Sequence, residues 1–147
     1  MSAEGNKEFM RKCFEELNMS NGDASKIRSF YSKYYEPTAI AHVTWGGDIN
    51  LEHVIQEIIG LFVGFPDLKF IVDEMLADSD KVVTRYTMKG THKGLFTGIP
   101  ATGKPIVVKG VQIDKIAGGK RVENWDFPDL LGMMTQLGVV PGAAPPK

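Results

Sequence analysis

The hydrophobic pattern of the chain shifts at Pro66 from mainly helical spacing to a long run of period two, and that change restricts the possible folds more than any other feature. Ahead of it, apolar side chains recur at helical spacing, first as Phe9, Met10, Cys13, Phe14 and Leu17 and then as Ile27, Phe30, Tyr31 and Tyr34. Asn21-Gly22 stops the first run, Asp23 is placed to cap the second, and Pro37 ends it. Ala39 to Val43 reads as a short strand and Trp45-Gly46-Gly47 as a turn. Asn50 then caps a third helix that continues to the region of Val63.

Beyond Pro66 the period is two. Leu68, Phe70 and Val72 fall on one face, with Ile71 and Met75 on the other, as far as the turn Asp78-Ser79-Asp80. Lys81 to Thr91 continues the alternation and completes a hairpin. After a glycine-rich connection from Gly90 to Gly103, the segments Ile106 to Ile116 and Arg121 to Phe127 form two more strands about the Gly118-Gly119 turn. Asp129 to Leu137 reads as a short closing helix. Helices first and antiparallel strands afterwards predict an α+β fold in which helices cover one face of a sheet, and such a sheet can curl around a cavity. Residues 1–140 suffice for one domain, while PGAAPPK at 141–147 has the composition of a flexible tail.

The composition excludes several partners. Lys and Arg total 17 and Asp and Glu 18, interspersed without blocks, so the basic face expected of a nucleic-acid binder is missing. The run VIQEIIGLFV is broken by Gln56 and Glu57 and is too short to span a bilayer, and MSAEGNKEFMRK lacks the apolar core of a leader. A soluble, cytoplasmic protein is the expectation. Cys13 is the single cysteine, which rules out an intrachain disulfide and a thiolate cluster, and its place on a helical apolar face suits core packing. His42, His53 and His92 are spaced too widely to suggest a metal, so no metal is expected. If alternation holds, Val111, Ile113, Trp125 and Phe127 form an apolar outer sheet face, and a second copy of the chain covering it predicts a homodimer.

Phosphate-loop, zinc-protease, dithiol and serine-hydrolase motifs are all absent. What stands out instead is GTHKGLFTGIPATGKPIVVKG at Gly90 to Gly110, then GGKRVENWDFPDLLGMMTQLG at Gly118 to Gly138, with FPDLKF at Phe65 to Phe70 ahead of them. These stretches closely resemble the SnoaL-like polyketide cyclase family, within the ketosteroid-isomerase and nuclear-transport-factor-like superfamily. The resemblance is strong over the second half of the chain and extends to the first half by layout. It implies a cone-shaped, curved antiparallel sheet with N-terminal helices over its concave face, enclosing a pocket for an apolar small molecule. It also implies a cofactor-free lyase or isomerase that closes rings by intramolecular aldol condensation.

That chemistry needs a base beside a carbonyl and a donor for the enolate oxygen. The resemblance places an acid/base aspartate on the last strand, at Asp126, and a polar neighbour on the preceding strand, at Gln112. Family members commonly carry histidine there, and glutamine can donate a hydrogen bond but cannot exchange protons. From the residues alone, a one-residue bulge near Gly118-Gly119 would set Gln112 opposite Asp126 with Asn124 and Asp114 on the same face; without it Gln112 faces Trp125. Asp126 is thus either the base or a solvated strand residue, Asp129 a helix cap or the functional acid, and Glu123 a salt-bridge partner. His42, Asn124, Tyr34, Trp45 and His92 are the candidate substrate-binding residues, with His92 also placed to pin the glycine-rich loop. Two other activities compete with the cyclase reading: a non-catalytic binding or dimerisation module, and an epoxide or ester hydrolase.

Overall fold

A computed structural model describes residues 2–140; the tail expected at 141–147 lies outside the described residues. In chain order the elements are α1 (Ala3–Met19), α2 (Ala24–Tyr34), β1 (Tyr35–Val43), β2 (Gly47–Asn50), α3 (Leu51–Gly64), β3 (Lys69–Asp78), β4 (Lys81–Thr91), β5 (Pro105–Ala117), β6 (Lys120–Pro128) and α4 (Leu130–Leu137). Each helix begins where a short polar side chain accepts an otherwise unpaired N–H of its first turn. Ser2 accepts from Gly5, Asp23 from Lys26, Asn50 from His53 and Asp129 from Gly132, at 2.9 to 3.0 Å.

The strands make one curved, open sheet in the order β2-β1-β6-β5-β4-β3, and the helices pack on its concave face. The fold is the α+β cone expected from the sequence. β3 to β6 form the antiparallel meander, while β1 joins its far side by running parallel to β6. Phe30, Phe65, Leu68, Met10 and Ile27, all at most 2% exposed, fill the space between helices and sheet. No described helix is long and apolar enough to cross a membrane.

Two bulges decide which side chains face inward. In β3 the register slips between Val72 and Glu74, so Met75 turns to the buried face with Phe70 and Val72, while Ile71 is exposed. This corrects the strict alternation that paired Met75 with Ile71. In β6 the pairing passes from Ile116–Arg121 to Lys115–Glu123, which leaves Val122 as the extra residue. Gly118 and Gly119, at φ 59° and 75°, supply the doubly left-handed turn that the hairpin requires. Because parity changes at Val122, Arg121 shares the concave face with Asn124 and Asp126 rather than with Glu123 and Trp125.

The segment between β4 and β5 is held at both ends. His92 N–H donates to the Lys104 carbonyl and Gly103 N–H to the His92 carbonyl, while Lys93 and Gly94 both donate to the Gly64 carbonyl at the end of α3. At Gly94 a Cβ would collide with the Val63 carbonyl oxygen, so only glycine permits this approach of the loop to α3.

Candidate active site

Between the helices and the concave sheet lies a cavity of about 540 Å³. Its walls are mostly apolar, with Phe14, Phe30, Ile58, Phe70, Met88 and Met133 among them. Trp45, Val63 and Leu95 line it while remaining 42%, 56% and 61% exposed, which marks the mouth. Polar side chains converge on one region of the wall, carried by β4, β5 and β6.

The β6 bulge sets that region. Gln112 of β5 lies directly opposite Asp126 of β6, Asp114 lies opposite Asn124, and both Gln112 and Asp126 line the cavity. The two aspartates occupy different surroundings. Asp114 is 0% exposed and saturated: its Oδ1 accepts from Arg121 Nε at 2.9 Å, Arg121 Nη2 at 2.6 Å and Asn124 Nδ2 at 3.0 Å, and its Oδ2 from Gln112 Nε2 at 2.7 Å. The Arg121 guanidinium also lies 4.2 Å from the centre of the Tyr35 ring.

Asp126 has one side-chain donor among the described residues, the Tyr86 hydroxyl at 2.7 Å from Oδ1. Removal from water raises its pKa to about 6; the Tyr86 hydrogen bond opposes the rise, the Asp114 charge adds to it, and Arg121 opposes it. One carboxyl is therefore fixed as the structural partner of Arg121, and the other is poised to exchange a proton near neutrality.

The remaining candidates separate by position. Asn124 lines the cavity, but its amide N–H groups already serve Asp114 and the Ile113 carbonyl. Trp45 forms an apolar wall at the mouth, with its indole N–H donated to the Glu57 carboxylate at 3.0 and 3.1 Å. His42 is outside the cavity: Ala41 and Val43 line it, so the side chain between them points to the outer face. There its Nδ1 lies 2.6 Å from Asp48 and its Nε2 2.7 Å from Glu123, and its ring stacks on Trp125 at 5.1 Å. Hydrogen bonding to Glu123, and then to Asp48, raises the His42 pKa.

Tyr34 does not line the cavity either; its hydroxyl donates to Glu16 on α1, closing the seam between the first two helices. His92 is fully buried, stacked on Phe65 at 5.2 Å, with Nδ1 accepting the Thr102 N–H at 3.2 Å. It pins the β4–β5 loop and has no contact with the cavity. Asp129 caps α4. Cys13 is on the cavity wall, free, with its thiol pushed up to about 11 by burial.

Tyr86 and Arg121 belong to the site but were not identified from the pattern of the sequence. A signal for Tyr86 exists in Gly110, a glycine inside an otherwise regular strand, which marks a close approach. Arg121 is concealed by the parity change at Val122.

Comparison with known proteins places this geometry in context. Residues 6–137 match the family model described as SnoaL-like polyketide cyclase. Over 57 residues the chain is 35% identical to the aklanonic acid methyl ester cyclase DnrD of Streptomyces peucetius, a match covering 39% of each protein. The chain thus spans about two fifths of the curated relative it matches. Among solved structures, a candidate SnoaL-like polyketide cyclase from Jannaschia sp. CCS1 superposes with a TM-score of 0.78 at 27% identity, covering 92% of this chain and 93% of that one. IdmH of Streptomyces antibioticus, a candidate polyketide cyclase, gives 0.75 at 26%, covering 91% and 99%. AclR of Streptomyces galilaeus, a candidate hydroxylase, gives 0.79 at 24%, covering 97% and 87%, which speaks for the fold alone.

Proposed function

The chain belongs to the SnoaL-like polyketide cyclase family, and on that premise we propose that it carries out cofactor-independent acid/base chemistry, an aldol cyclisation or isomerisation, on an apolar carbonyl-containing small molecule. The observation that carries the reading is the carboxyl of Asp126, set on the cavity wall opposite Gln112 and held at a pKa of about 6 by desolvation. The deprotonated carboxylate takes a proton from the carbon beside the carbonyl. The C–H electron pair moves into an enolate, and the enolate carbon then attacks a second carbonyl of the same molecule. The alkoxide so formed recovers the proton from Asp126, so the cycle needs no outside acid.

Gln112 supplies the enolate contact. Asp114 can only accept, so it fixes the Gln112 Nε2 toward itself. The second N–H of that group has no other partner among the described residues and is available to the enolate oxygen. Histidine chemistry at that position is not required, because Asp126 both takes and returns the proton.

The test is incorporation of deuterium from heavy water into a panel of apolar 1,3-dicarbonyl compounds. Since the ionised carboxyl is the active form, exchange is expected to be slow at low pH, half-maximal near pH 6 and level above it. Absence of exchange with every compound would sink the reading. It would return the weight to a binding module, or to a hydrolase in which Asp126 activates water.

The quaternary structure is part of the same proposal. Val111 and Phe127 face each other on the outer sheet face at 38% and 49% exposure, beside Ile113 and Trp125. Around this patch stand both signs of charge: Lys81, whose ammonium lies 5.7 Å from the centre of the Trp125 ring, Lys115 opposite Glu123, and Asp48 with His42. A surface carrying both signs about an apolar centre is complementary to itself, and a second copy of this chain is the occupant proposed. Sedimentation is expected to give a dimer for the native chain and a folded monomer for Val111→Glu. A native monomer at tens of micromolar would overturn it. A cytoplasmic setting is likewise proposed, consistent with a lone, unpaired Cys13.

A further inference from the structure

Tyr86 reaches the base from two strands away. It belongs to β4, Asp126 to β6, and β5 lies between them. The residue of β5 opposite Tyr86 is Gly110, and the ring lies across that glycine. A Cβ at position 110 would fall 2.5 Å from the phenol oxygen and 2.9 Å from Cε2, a separation that backbone-attached carbon does not tolerate. Gly110 has an ordinary backbone conformation, so the requirement for glycine is clearance and not φ. Tyr86 is 2% exposed, and its hydroxyl donates to Asp126 Oδ1 at 2.7 Å, leaving Oδ2 without a side-chain donor among the described residues.

We propose that Tyr86 is the positioning residue of the base, its phenol passing over Gly110 to engage one oxygen of Asp126 and so committing the other oxygen to the substrate proton. The proposal rests on the reading of Asp126 as the base and deepens it. The phenol is a fixed, neutral donor in a water-poor wall, so it restrains rotation of the carboxylate and stabilises its charged form without neutralising it. The other groups that act on Asp126 are Asp114 of β5, Arg121 of β6 and the backbone N–H of Phe127, and Tyr31 of α2 senses its charge. Asp114 and Arg121 are bound to each other and have no hydrogen bond to Tyr86 among the described residues. The phenol is therefore the adjustable contact on this carboxylate.

The experiment is a pH titration of the Asp126 side-chain carboxyl carbon by ¹³C NMR, set beside the pH profile of deuterium exchange. Tyr86→Phe keeps the ring and its packing and removes only the donor. The midpoint is expected to rise by on the order of one pH unit, and the exchange profile to move with it. Gly110→Ala retains the phenol but displaces it, and is expected to raise the midpoint in the same direction. In the double variant the two changes do not add, because each removes the same hydrogen bond. The carboxyl titration needs no substrate, so the two readings fail separately. A raised midpoint with no dicarbonyl exchanged shows that the phenol holds the Asp126 carboxyl, while the enolisation reading falls and takes with it the commitment of the second oxygen to a substrate proton. Exchange present, with an unmoved midpoint in Tyr86→Phe, overturns the positioning role and leaves the base in place.

Discussion

Asp126→Asn reduces deuterium exchange by roughly 10²- to 10⁴-fold, the range over which positioned general bases act, while making the protein more stable at neutral pH. Both effects come from one cause. The amide fills the volume of the carboxyl and still accepts from Tyr86, so the wall remains intact; it has no site for a proton. The stability sign follows from the direction of the shift. In the folded state the carboxyl keeps its proton up to about pH 6, against an ordinary 3.8. Between those values the folded chain binds more protons than the unfolded one, so stability falls as pH rises through that window. At pH 7 the native chain carries the full cost of an ionised, desolvated carboxylate, up to about 3 kcal/mol for a shift of about two units. Asparagine removes that cost. Chemical denaturation at pH 4 and pH 8 checks it: the two proteins should be nearly equal at the lower pH, with the variant ahead at the higher. Exchange at native rates in the variant would mean that another group is the base. A variant less stable at pH 8 would mean that the carboxylate is held by contacts stronger than those described.

Most of the architecture could be read from the residues because it is specified locally. Asp23, Asn50 and Asp129 announce helix starts by chemistry that acts within three residues, and the structure has all three caps. The Gly118-Gly119 turn fixes its hairpin in the same way. What escaped depends on register between distant segments. β2 carries one buried residue, Ile49, in four, too little alternation to stand out beside a turn and a cap. The sequence places the start of β1 at Ala39, whereas the strand begins at Tyr35 with no loop after α2. Pro37 falls where the pairing of β1 with β6 is irregular, so its missing N–H breaks no regular ladder. His42 shows the opposite failure. Alternation through Ala39, Ala41 and Val43 sends it outward, a local signal that runs against the pocket role implied by the family resemblance. At the site, the shared face of Asp126, Gln112, Asn124 and Asp114 follows from the residues once a bulge in the last hairpin is granted, and the pairing of β5 with β6 contains it. Arg121 is hidden in the sequence because its parity changes across the same bulge, and Tyr86 because its contact spans three strands.

The bulge also explains why the wall can hold a buried ion pair, and removing one half of that pair is expected to have the largest effect on folding. Asp114→Ala leaves the Arg121 guanidinium, 6% exposed, without its hydrogen-bonded carboxylate, and only the Tyr35 ring and the more distant charge of Asp126 remain to offset it. Breaking a buried pair in this way costs about 3 to 5 kcal/mol, mostly the penalty of an uncompensated charge. The Gln112 and Asn124 amides lose their common acceptor at the same time, so the enolate donor is no longer fixed. The pair also acts on the base. Asp114 raises the Asp126 pKa and Arg121 lowers it. With the first gone and the second unneutralised, the pKa drops below about 6, and the acid limb of the exchange profile moves to lower pH. Replacing both partners, as Asp114→Leu with Arg121→Met, restores much of the stability because no buried charge remains, yet it leaves Gln112 unanchored and exchange impaired. Thermal unfolding of the single and double variants, read beside their exchange rates, separates the two contributions. If the double variant recovered exchange along with stability, the pair would serve folding alone, and the orientation of Gln112 would have no part in the chemistry.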